Sequence, residues 1–399
     1  MADSDKKEKI CVLLTGGTIC SVPNSAGKSI SDAGQASPVL IKHFLIKTDS
    51  KFRIKDLFDT VSLKTDILSE NMTTDVWFEI LTIFKKKILP KNYKGVIVLH
   101  GTDTLAYTSS FLAMALAGIN IPVMMVSAQL SLKKKMTNGH ANFRAAVELI
   151  MNGIAPNVYA VYRNEKNEQN GKHEPGELLV HYGSHLLQCP NGSNNFHSRD
   201  EMLIKNVRNA KLRKCTGFKK DSCDLLKAVW NRNEVCLVRP YTNIDYSGIN
   251  LKGKKIVIHG TYHSESVCIG RTIYGKSNGT GKKKSRDNYR LDEILEKDRK
   301  YSILFLLDEC AKKKIPVFLA PCDKEAAAYG TTANAIKRGA KHLKGITIEA
   351  AYAKAVLGCF LGKQGKSFIN FMSTDINAEK SDEVSTKKAK SGQGSAKKP

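Results

Sequence analysis

The chain has little of what marks an exported, membrane or zinc-binding protein. Its ten cysteines include no Cys-x-x-Cys pair, so the usual spacing of a zinc site is missing. The residues after Met1 are charged and lack an apolar segment of leader length, which argues against export. The longest apolar stretch, 105–126, is interrupted by polar residues and Pro122, whereas a membrane span needs about 18 or more uninterrupted apolar residues. We therefore expect a cytoplasmic protein with reduced thiols and with no metal and no membrane partner.

Acidic residues are scarce relative to basic ones. The chain carries 63 Lys and Arg against 38 Asp and Glu, a formal net charge of +25. Such an excess can attract nucleic acid, but the lysines cluster in runs such as 133–135 and 387–398 without alternating aromatic residues. Stacking aromatic residues are what a protein that binds single strands adds to its basic groups. We therefore interpret the charge as solvated surface and expect no nucleic-acid partner.

Short runs of Val, Ile and Leu alternate with helix-like stretches along the chain. Buried strands are predicted at 10–14, 95–99, 122–127, 158–162, 235–238, 255–258 and 315–319. Helices are predicted at 105–116, 142–152, 301–314 and 348–361. The segment 69–77 is typical of the start of a further helix, in which Trp77, Ile80, Leu81 and Phe84 recur at helical spacing. This alternation predicts an α/β fold with a mainly parallel sheet.

Composition divides the chain into segments. We expect a flexible N-terminus at 1–8, a large α/β domain at 9–205, a linker at 206–234, a smaller α/β domain at 235–372 and a disordered Lys-rich tail at 373–399. The linker is placed where basic and polar clusters lose periodicity, and the tail where Lys, Ser and Gly dominate. A segment rich in Ser, Gly and Pro at 21–37 is expected to be a loop.

Two Gly- and Thr-rich runs follow two of the predicted strands. Thr-Gly-Gly-Thr-Ile occupies 15–19, and His-Gly-Thr-Asp-Thr occupies 100–104. Ligands of open α/β sheets bind beyond the carboxyl ends of the strands, so the two runs can meet over one pocket. There Gly17 lets backbone N–H groups approach a ligand. Thr18 is a candidate nucleophile, which needs a base and donors at the developing oxyanion.

The second run adds groups that can move a proton or hold a charge. Thr102 can relay a proton, and Asp103 can hold an ammonium group. A different interpretation is that both runs are tight turns from strand to helix, whose Thr and Asp residues cap the helices. Their occurrence together, each at a strand end, favours a shared site.

These runs resemble the signature motifs of the bacterial-type asparaginases/glutaminases, amidohydrolases that use a threonine nucleophile. The second motif matches over 95–105, and the first over 12–19, with Cys20 where Ala, Gly or Ser is usual. A segment at 69–72 is similar to the family's substrate-contact segment, and 345–354 to the region leading into its last helix. The resemblance implies a large domain with a flavodoxin-like parallel sheet and a smaller α/β domain, in subunits that pair so that one closes the other's site.

The resemblance also implies roles for individual residues. Thr18 would attack the side-chain amide carbon of Asn or Gln, ammonia would leave, and water would release the acyl group. Thr102 and Asp103 would act beside it, with Asp103 also binding the α-amino group of the substrate. The substrate-binding residues that the resemblance implies are Gly17, Ser69, Glu70 and Gly101.

Three further positions are candidates without a settled role. Gln188 stands where the family has a lysine, and a Gln can orient a neighbour but cannot accept a proton as a lysine of lowered pKa can. Lys28 stands near the family's loop tyrosine. Either Lys28 or a lysine of 133–135 can supply the missing base, or these lysines are solvated surface. His263 follows a strand of the small domain and is either functional or a local cap.

The sequence thus predicts an amidohydrolase that converts L-asparagine, or L-glutamine, to the acid and ammonia through a threonine acyl-enzyme. We expect a small amino-acid amide as substrate, no cofactor, and a homodimer or homotetramer. Two alternatives stay open. One is an amino-acid-binding protein without catalysis, for which Gln188 and Lys28 argue. The other is the amidase subunit of a tRNA-dependent amidotransferase, which would use the same motifs.

Overall fold

The structure is a computed structural model. It describes residues 9–23, 29–31, 33–47, 57–166, 175–199, 202–203, 234–271, 294–323, 329–377 and 379–380. The predicted N-terminus at 1–8, Lys28, residues 206–233 of the predicted linker and the predicted tail beyond residue 380 lie outside the described residues.

A seven-stranded sheet organises the first half of the chain. In spatial order its strands are β4 (Phe58–Ile67), β1 (Ile10–Gly16), β5 (Gly95–Leu99), β6 (Val123–Val126), β7 (Val158–Glu165), β8 (Pro175–Tyr182) and β9 (Met202–Leu203). The first five are parallel, and β8 is antiparallel to both of its neighbours. Every residue of β1, β5 and β6 is buried, as their continuous apolar sequence requires. The predicted α/β class is confirmed.

Helices cover both faces of this sheet. They are α1 (Ala33–Lys47), α2 (Thr74–Ile83), α3 (Leu105–Ala115) and α4 (Gly139–Met151). The helical spacing predicted around Trp77 is confirmed in α2. The Trp77 ring stacks on Phe111 of α3 with centroids 4.6 Å apart, and its indole N–H donates to Thr108 Oγ1 at 3.0 Å. This contact fixes the helix that begins directly after the second motif.

A second, four-stranded sheet lies in the C-terminal part of the chain. Its parallel strands are β10 (Val235–Val238), β11 (Ile256–Gly260), β12 (Val317–Ala320) and β13 (Lys341–His342). The helices of this part are α5 (Ile303–Lys312), α6 (Gly330–Lys337), α7 (Ile348–Phe360) and α8 (Gly365–Ser373). Side chains begin two of them, because Ser302 Oγ accepts from Leu304 N and Thr347 Oγ1 accepts from Ala350 N, both at 3.1 Å.

Helix α7 packs against both sheets. It contacts α3 on the first sheet and β10 and β11 of the second. One hydrophobic cluster accordingly contains Val98 of β5, Ile258 of β11 and Val356 of α7. The two sheets therefore share a core.

The prediction of a loop at 21–37 is wrong. β2 (Ser21–Pro23) and β3 (Ser29–Ser31) form an antiparallel pair, and α1 begins at Ala33. Leu40 and Ile41 of α1 are buried in the core on the first sheet. Burial of this apolar face outweighs the weak helix propensity of the preceding Ser and Gly residues.

The tail predicted to begin at 373 is wrong for its first residues. Lys354 of α7 forms an ion pair with Glu379 and donates to the Thr374 carbonyl, and both charged side chains are fully buried. Asn377 Nδ2 donates to Ala113 O at the end of α3, at 2.6 Å. A buried lysine requires a partner of opposite charge. The Lys-rich composition of the segment gives no sign that Glu379 is this partner. In the described part of the chain, no helix is both long and apolar enough to cross a membrane.

Candidate active site

The two motif loops touch at neighbouring strand ends. β1 and β5 are paired, and Thr15 Oγ1 donates to Leu99 O at 2.8 Å. Gly17 has a φ of +86°, and a Cβ there would lie 2.3 Å from Gly101 Cα. A side chain at position 17 is therefore excluded by both space and backbone conformation. The prediction that the two runs meet is confirmed.

Thr18 lies directly beyond this contact. It opens a single 3-10 turn, Thr18–Cys20, and is half-buried. Gly17 N donates to Ile67 O at the end of β4, and Cys20 N donates to Gly17 O, both at 2.9 Å. These bonds hold the backbone on both sides of Thr18, so its position relative to Gly101 is fixed by three strand ends.

Asp103 is held by a residue from a third loop. Ser69 Oγ donates to Asp103 Oδ2 at 2.9 Å and accepts from Asp103 N at 3.1 Å, while Thr104 Oγ1 donates to Ser69 O at 2.8 Å. Asp103 itself is exposed to solvent, so its carboxylate is oriented and still accessible to a ligand. Glu70 follows Ser69 and is exposed.

Gln188, in the segment after β8, also contacts the second motif. After β8, the Gly183 carbonyl accepts from Ser109 Oγ at 3.0 Å and Ser110 Oγ at 3.2 Å, which fastens the chain to α3. Gln188 Nε2 then donates to Asp103 O at 2.6 Å. The structure thus brings Gln188, for which the sequence analysis left the role open, into contact with the second motif.

A cavity of about 390 Å³ opens beside Asp103 and Gln188, a size typical of small-molecule sites. Its lining comprises Thr102, Asp103, Gln129, Tyr162, Gln188 and the segment 189–194 with Phe196. Gln129 follows β6, so the three consecutive parallel strands β5, β6 and β7 bring residues to this edge, and Gln188 joins them from the segment beyond β8.

His100 keeps the second loop in place. Its side chain is fully buried, and Nδ1 lies 2.7 Å from Gly101 O. Burial lowers the pKa of His100 to about 4, although the Gly101 carbonyl and the Asp103 charge act in the opposite direction. The ring is therefore neutral near pH 7, with the proton on Nδ1, because the carbonyl can only accept.

Several sequence candidates lie elsewhere. His263 is exposed in the turn after β11, on the second sheet. Of the lysines at 133–135, Lys135 lines a smaller cavity of about 210 Å³ that shares Gln129 with the first. Lys28 lies outside the described residues. Within the described ranges, no three His, Cys, Asp or Glu side chains are grouped so that they could hold a metal.

Two cavity residues escaped the sequence analysis. Tyr162 belongs to a predicted strand, and nothing in the sequence shows that this position lines a cavity. Gln129 follows a predicted strand at the carboxyl edge of the sheet, and that position is a signal that could have found it.

The family model that matches the chain is described as "Asparaginase, N-terminal", and it covers residues 9–215. Among curated proteins, a glutamyl-tRNA(Gln) amidotransferase subunit of Methanosphaera stadtmanae is 29% identical over 41% of this chain and 35% of its own length. The corresponding protein of Sulfolobus acidocaldarius is 30% identical over 42% of this chain and 36% of its own. The chain therefore spans about a third of the length of these relatives.

Solved structures are similar over a greater length. The thermostable L-asparaginase of Thermococcus kodakarensis and L-asparaginase I of Vibrio cholerae each superpose with a TM-score of 0.62 at 18% identity. Each comparison covers 94% of this chain and 99% of the other. At this identity the likeness shows a common fold.

Proposed function

The chain belongs to the asparaginase family, and on that premise we propose that it hydrolyses the side-chain amide of L-asparagine, or of L-glutamine, to the acid and ammonia. The observation that carries the proposal is the contact between Gly17 and Gly101. It sets Thr18 beside the loop that carries Thr102 and Asp103, at the edge where ligands of such sheets bind.

The reaction has two steps. Thr18 Oγ attacks the amide carbon, the C–N bond breaks, and the proton of the Thr18 hydroxyl ends on the departing nitrogen as ammonia. Water then attacks the ester, the bond to Thr18 Oγ breaks, and the hydroxyl is restored as the acid leaves. Backbone N–H groups near Gly17 and Gly101 stabilise the oxyanion of each step.

The remaining candidates bind and orient the substrate. Asp103, held by Ser69, pairs with the α-ammonium group, and the exposed Glu70 adds negative charge at the same rim. Thr102 relays the proton. Gln188 orients the Asp103 backbone, and because it cannot accept a proton, we expect turnover slower than a lysine at that place would allow.

The test is release of ammonia by the purified protein with L-asparagine and, separately, with L-glutamine. Thr18→Ala should lower turnover to below about a hundredth of wild type, since losing a nucleophile costs far more than that, while the unfolding midpoint stays unchanged. Thr82→Ala is the matched control, because Thr82 Oγ1 only donates to Phe78 O of its own helix. Residual turnover above that level would mean that Thr18 is not the attacking group. Turnover of neither amide by wild type would favour the non-catalytic alternative.

A second candidate function is that of an amidase subunit in a tRNA-dependent amidotransferase. It is supported by the curated relatives that carry that description, at 29% and 30% identity. Such a subunit would associate with a tRNA-binding partner and release little ammonia alone. Co-purification of tRNA together with a second protein, and stimulation of amide hydrolysis by both, would favour this function over the first.

We also propose that the protein works as a homodimer or homotetramer in the cytoplasm. Large apolar side chains on the loops beyond the second sheet support the assembly, since Tyr241 is 61% exposed and Tyr329 is 54% exposed. His263 lies among these loops and would face the neighbouring subunit's site. Sedimentation at micromolar concentration tests this, and a monomer that hydrolyses asparagine would contradict it. The eight described cysteines are free thiols, which suits a reducing compartment.

A further inference from the structure

Arg239 joins the second sheet to the helix that begins directly after the second motif. It is the first residue after β10, and its Nη2 nitrogen donates to Tyr107 Oη at 2.8 Å and to Glu349 Oε1 at 2.7 Å. Tyr107 lies in the first turn of α3, which covers the first sheet, and Glu349 lies in the first turn of α7. One guanidinium group therefore connects three elements.

Glu349 holds the guanidinium group in place. The Glu349 side chain is 3% exposed, whereas that of Arg239 is 50% exposed. In the described part of the chain, Glu349 has no other ion-pair partner. A buried carboxylate needs a paired cation, so Arg239 is kept beside α7 although half of its side chain is in solvent. The second N–H of the same nitrogen is thereby directed at Tyr107.

The Tyr107 hydroxyl accepts a charge-assisted hydrogen bond from Arg239. Its ring packs edge-to-face on Tyr352 of α7, with centroids 5.7 Å apart. Burial raises the pKa of Tyr107, although the hydrogen bond and the charge of Arg239 act in the opposite direction. The hydroxyl is therefore protonated near pH 7, and its oxygen remains an acceptor for the guanidinium group.

Tyr107 stands one helical turn beyond Asp103 of the second motif. The backbone joins this turn to the motif loop, since Thr108 N donates to Thr104 O at 3.0 Å. From the side of the first sheet, the Trp77 indole N–H holds Thr108 Oγ1 at 3.0 Å. The guanidinium group supplies a corresponding contact from the side of the second sheet. The start of α3 is thus fixed from both sides.

We propose that Arg239 is a positioning residue of the candidate active site. Through Tyr107 it fixes the first turn of α3, and with it the Asp103 carboxylate that binds the substrate's ammonium group. The second sheet thereby contributes to substrate affinity without touching the substrate. This inference rests on the proposed function for the role of Asp103, and it gives Arg239 and Tyr107 roles that the sequence analysis did not.

The experiment compares two variants that remove the same hydrogen bond. Tyr107→Phe removes the hydroxyl and keeps the packed ring, and Arg239→Met removes the guanidinium group and keeps an apolar stem. KM and kcat for L-asparagine come from ammonia release. Dissociation constants come from ligand-dependent shifts of thermal unfolding in the Thr18→Ala protein. Tyr93→Phe is the control for the tyrosine, because Tyr93 Oη donates to Asp59 Oδ2 at 2.9 Å at the opposite edge of the sheet.

Arg271→Met is the matched control for the arginine. Arg271 donates to both carboxylate oxygens of Asp298, at 2.6 and 2.9 Å, and the Asp298 side chain is 10% exposed. The pair therefore also joins a solvent-exposed guanidinium group to a shielded carboxylate, in the part of the chain that carries the second sheet. Neither residue lines the candidate cavity.

Tyr107→Phe and Arg239→Met should each raise KM and the dissociation constant about threefold to tenfold, with kcat changed less than about twofold. The double variant should bind no more weakly than Arg239→Met, because both changes remove one bond. Stability separates the two variants. Arg239→Met leaves the buried Glu349 carboxylate unpaired and should lower the unfolding midpoint, whereas Tyr107→Phe should lower it less. Both controls should leave the affinity unchanged.

Unchanged asparagine affinity in Tyr107→Phe would overturn the positioning role and leave the proposed hydrolysis standing. Losses that multiply in the double variant would also overturn it, as would an equal loss of affinity in the Arg271→Met control. If wild type releases no ammonia but the dissociation constants shift as expected, the proposed hydrolysis fails and the positioning role stands. If the protein neither hydrolyses nor binds either amide, both proposals fail.

Discussion

Ser69 and Asp103 exchange two hydrogen bonds between the loops that follow β4 and β5. The Ser69 hydroxyl donates to the Asp103 carboxylate at 2.9 Å and accepts from the Asp103 backbone N–H at 3.1 Å. One hydroxyl thereby fixes both the side chain and the backbone of the residue proposed to bind the substrate's ammonium group. The carboxylate remains exposed, so this orientation is available for binding.

Ser69→Ala should therefore lower kcat/KM without unfolding the protein. Hydrogen bonds to charged groups contribute about 1.5–3 kcal/mol, so we expect kcat/KM to fall about 10–100-fold, mostly through a higher KM. Ser247→Ala is the control, because Ser247 Oγ donates to Asp245 Oδ1 at 2.5 Å in an exposed turn of the second sheet. Equal kinetics in the Ser69 and Ser247 variants would remove Ser69 from the site.

Gly101→Ala should disturb the same pair by another route. A Cβ at position 101 would lie 2.3 Å from Ser69 Oγ and 2.6 Å from Ser69 Cβ, so Ser69 must move away from Asp103. Gly248→Ala, where nothing lies within 4 Å of the added Cβ, should be tolerated. Measured ammonia release and unfolding midpoints distinguish the two variants. Full activity in Gly101→Ala would show that the loop contact is dispensable.

Gln188→Lys should raise kcat if the cavity desolvates the new ammonium group and so lowers its pKa. A placed proton-transfer group contributes about 10²–10⁴-fold in rate, and part of that should be recovered. The same assay with Lys28→Ala tests whether Lys28 already supplies the base. A fast wild-type enzyme that neither change alters by more than about twofold would place the base at another residue.

Removing one partner of the buried ion pair between Lys354 and Glu379 should strongly destabilise the protein. Glu379→Gln leaves the Lys354 charge buried without its partner, and breaking such a pair costs about 3–5 kcal/mol. The double variant Lys354→Met/Glu379→Gln should recover part of that loss. Arg144→Ala, which breaks the half-exposed Arg144–Glu148 pair at 2.7 Å, should cost less than about 1 kcal/mol. Denaturant unfolding measures all three.

The same pair predicts a dependence of stability on pH. Burial would raise the pKa of Glu379, but the charge of Lys354 and the hydrogen bonds to the carboxylate outweigh it and lower the pKa to about 2. A lowered folded-state pKa gives stability that is present above the ordinary value and lost below it. Unfolding free energy should therefore fall as the pH drops from about 4.5 toward 2. At higher pH the neighbouring Asp375, whose pKa burial and Glu379 raise to about 7, acts in the opposite direction. The slope on the acid side should shrink in Glu379→Gln, and an equal slope in both proteins would contradict the assignment.

The sequence predicts the central strands because each is an uninterrupted apolar run. β1, β5 and β6 are covered on both faces, so nothing in their sequence competes with that interpretation. The contact of the two motifs is also predictable, since it follows from the glycines and from adjacent strand ends. The edge strand β4 is missed because only Phe58 and Leu63 of its ten residues are buried, and the polar residues between them leave no clear apolar period.

The lining of the cavity could not be predicted from the sequence. Tyr162 becomes significant only once the structure shows that it lines the cavity. Gln188 can be aligned with a lysine from the motif, but its bond to the Asp103 carbonyl depends on the path of the chain along α3. Such facts arise from long-range packing, which local propensity does not encode.

Because of helix α7, the two sheets should unfold together. Because it lies in a hydrophobic cluster that draws on both, separating the sheets would expose apolar surface on each, at roughly 25 cal/mol per Å². We expect no folding intermediate in which the first sheet persists while the second has melted. A chain truncated after the first sheet would be prone to aggregate, although the motifs it carries are complete. Mutations far from the cavity, along α7, would accordingly reduce the amount of active protein in a cell without altering how each surviving molecule works.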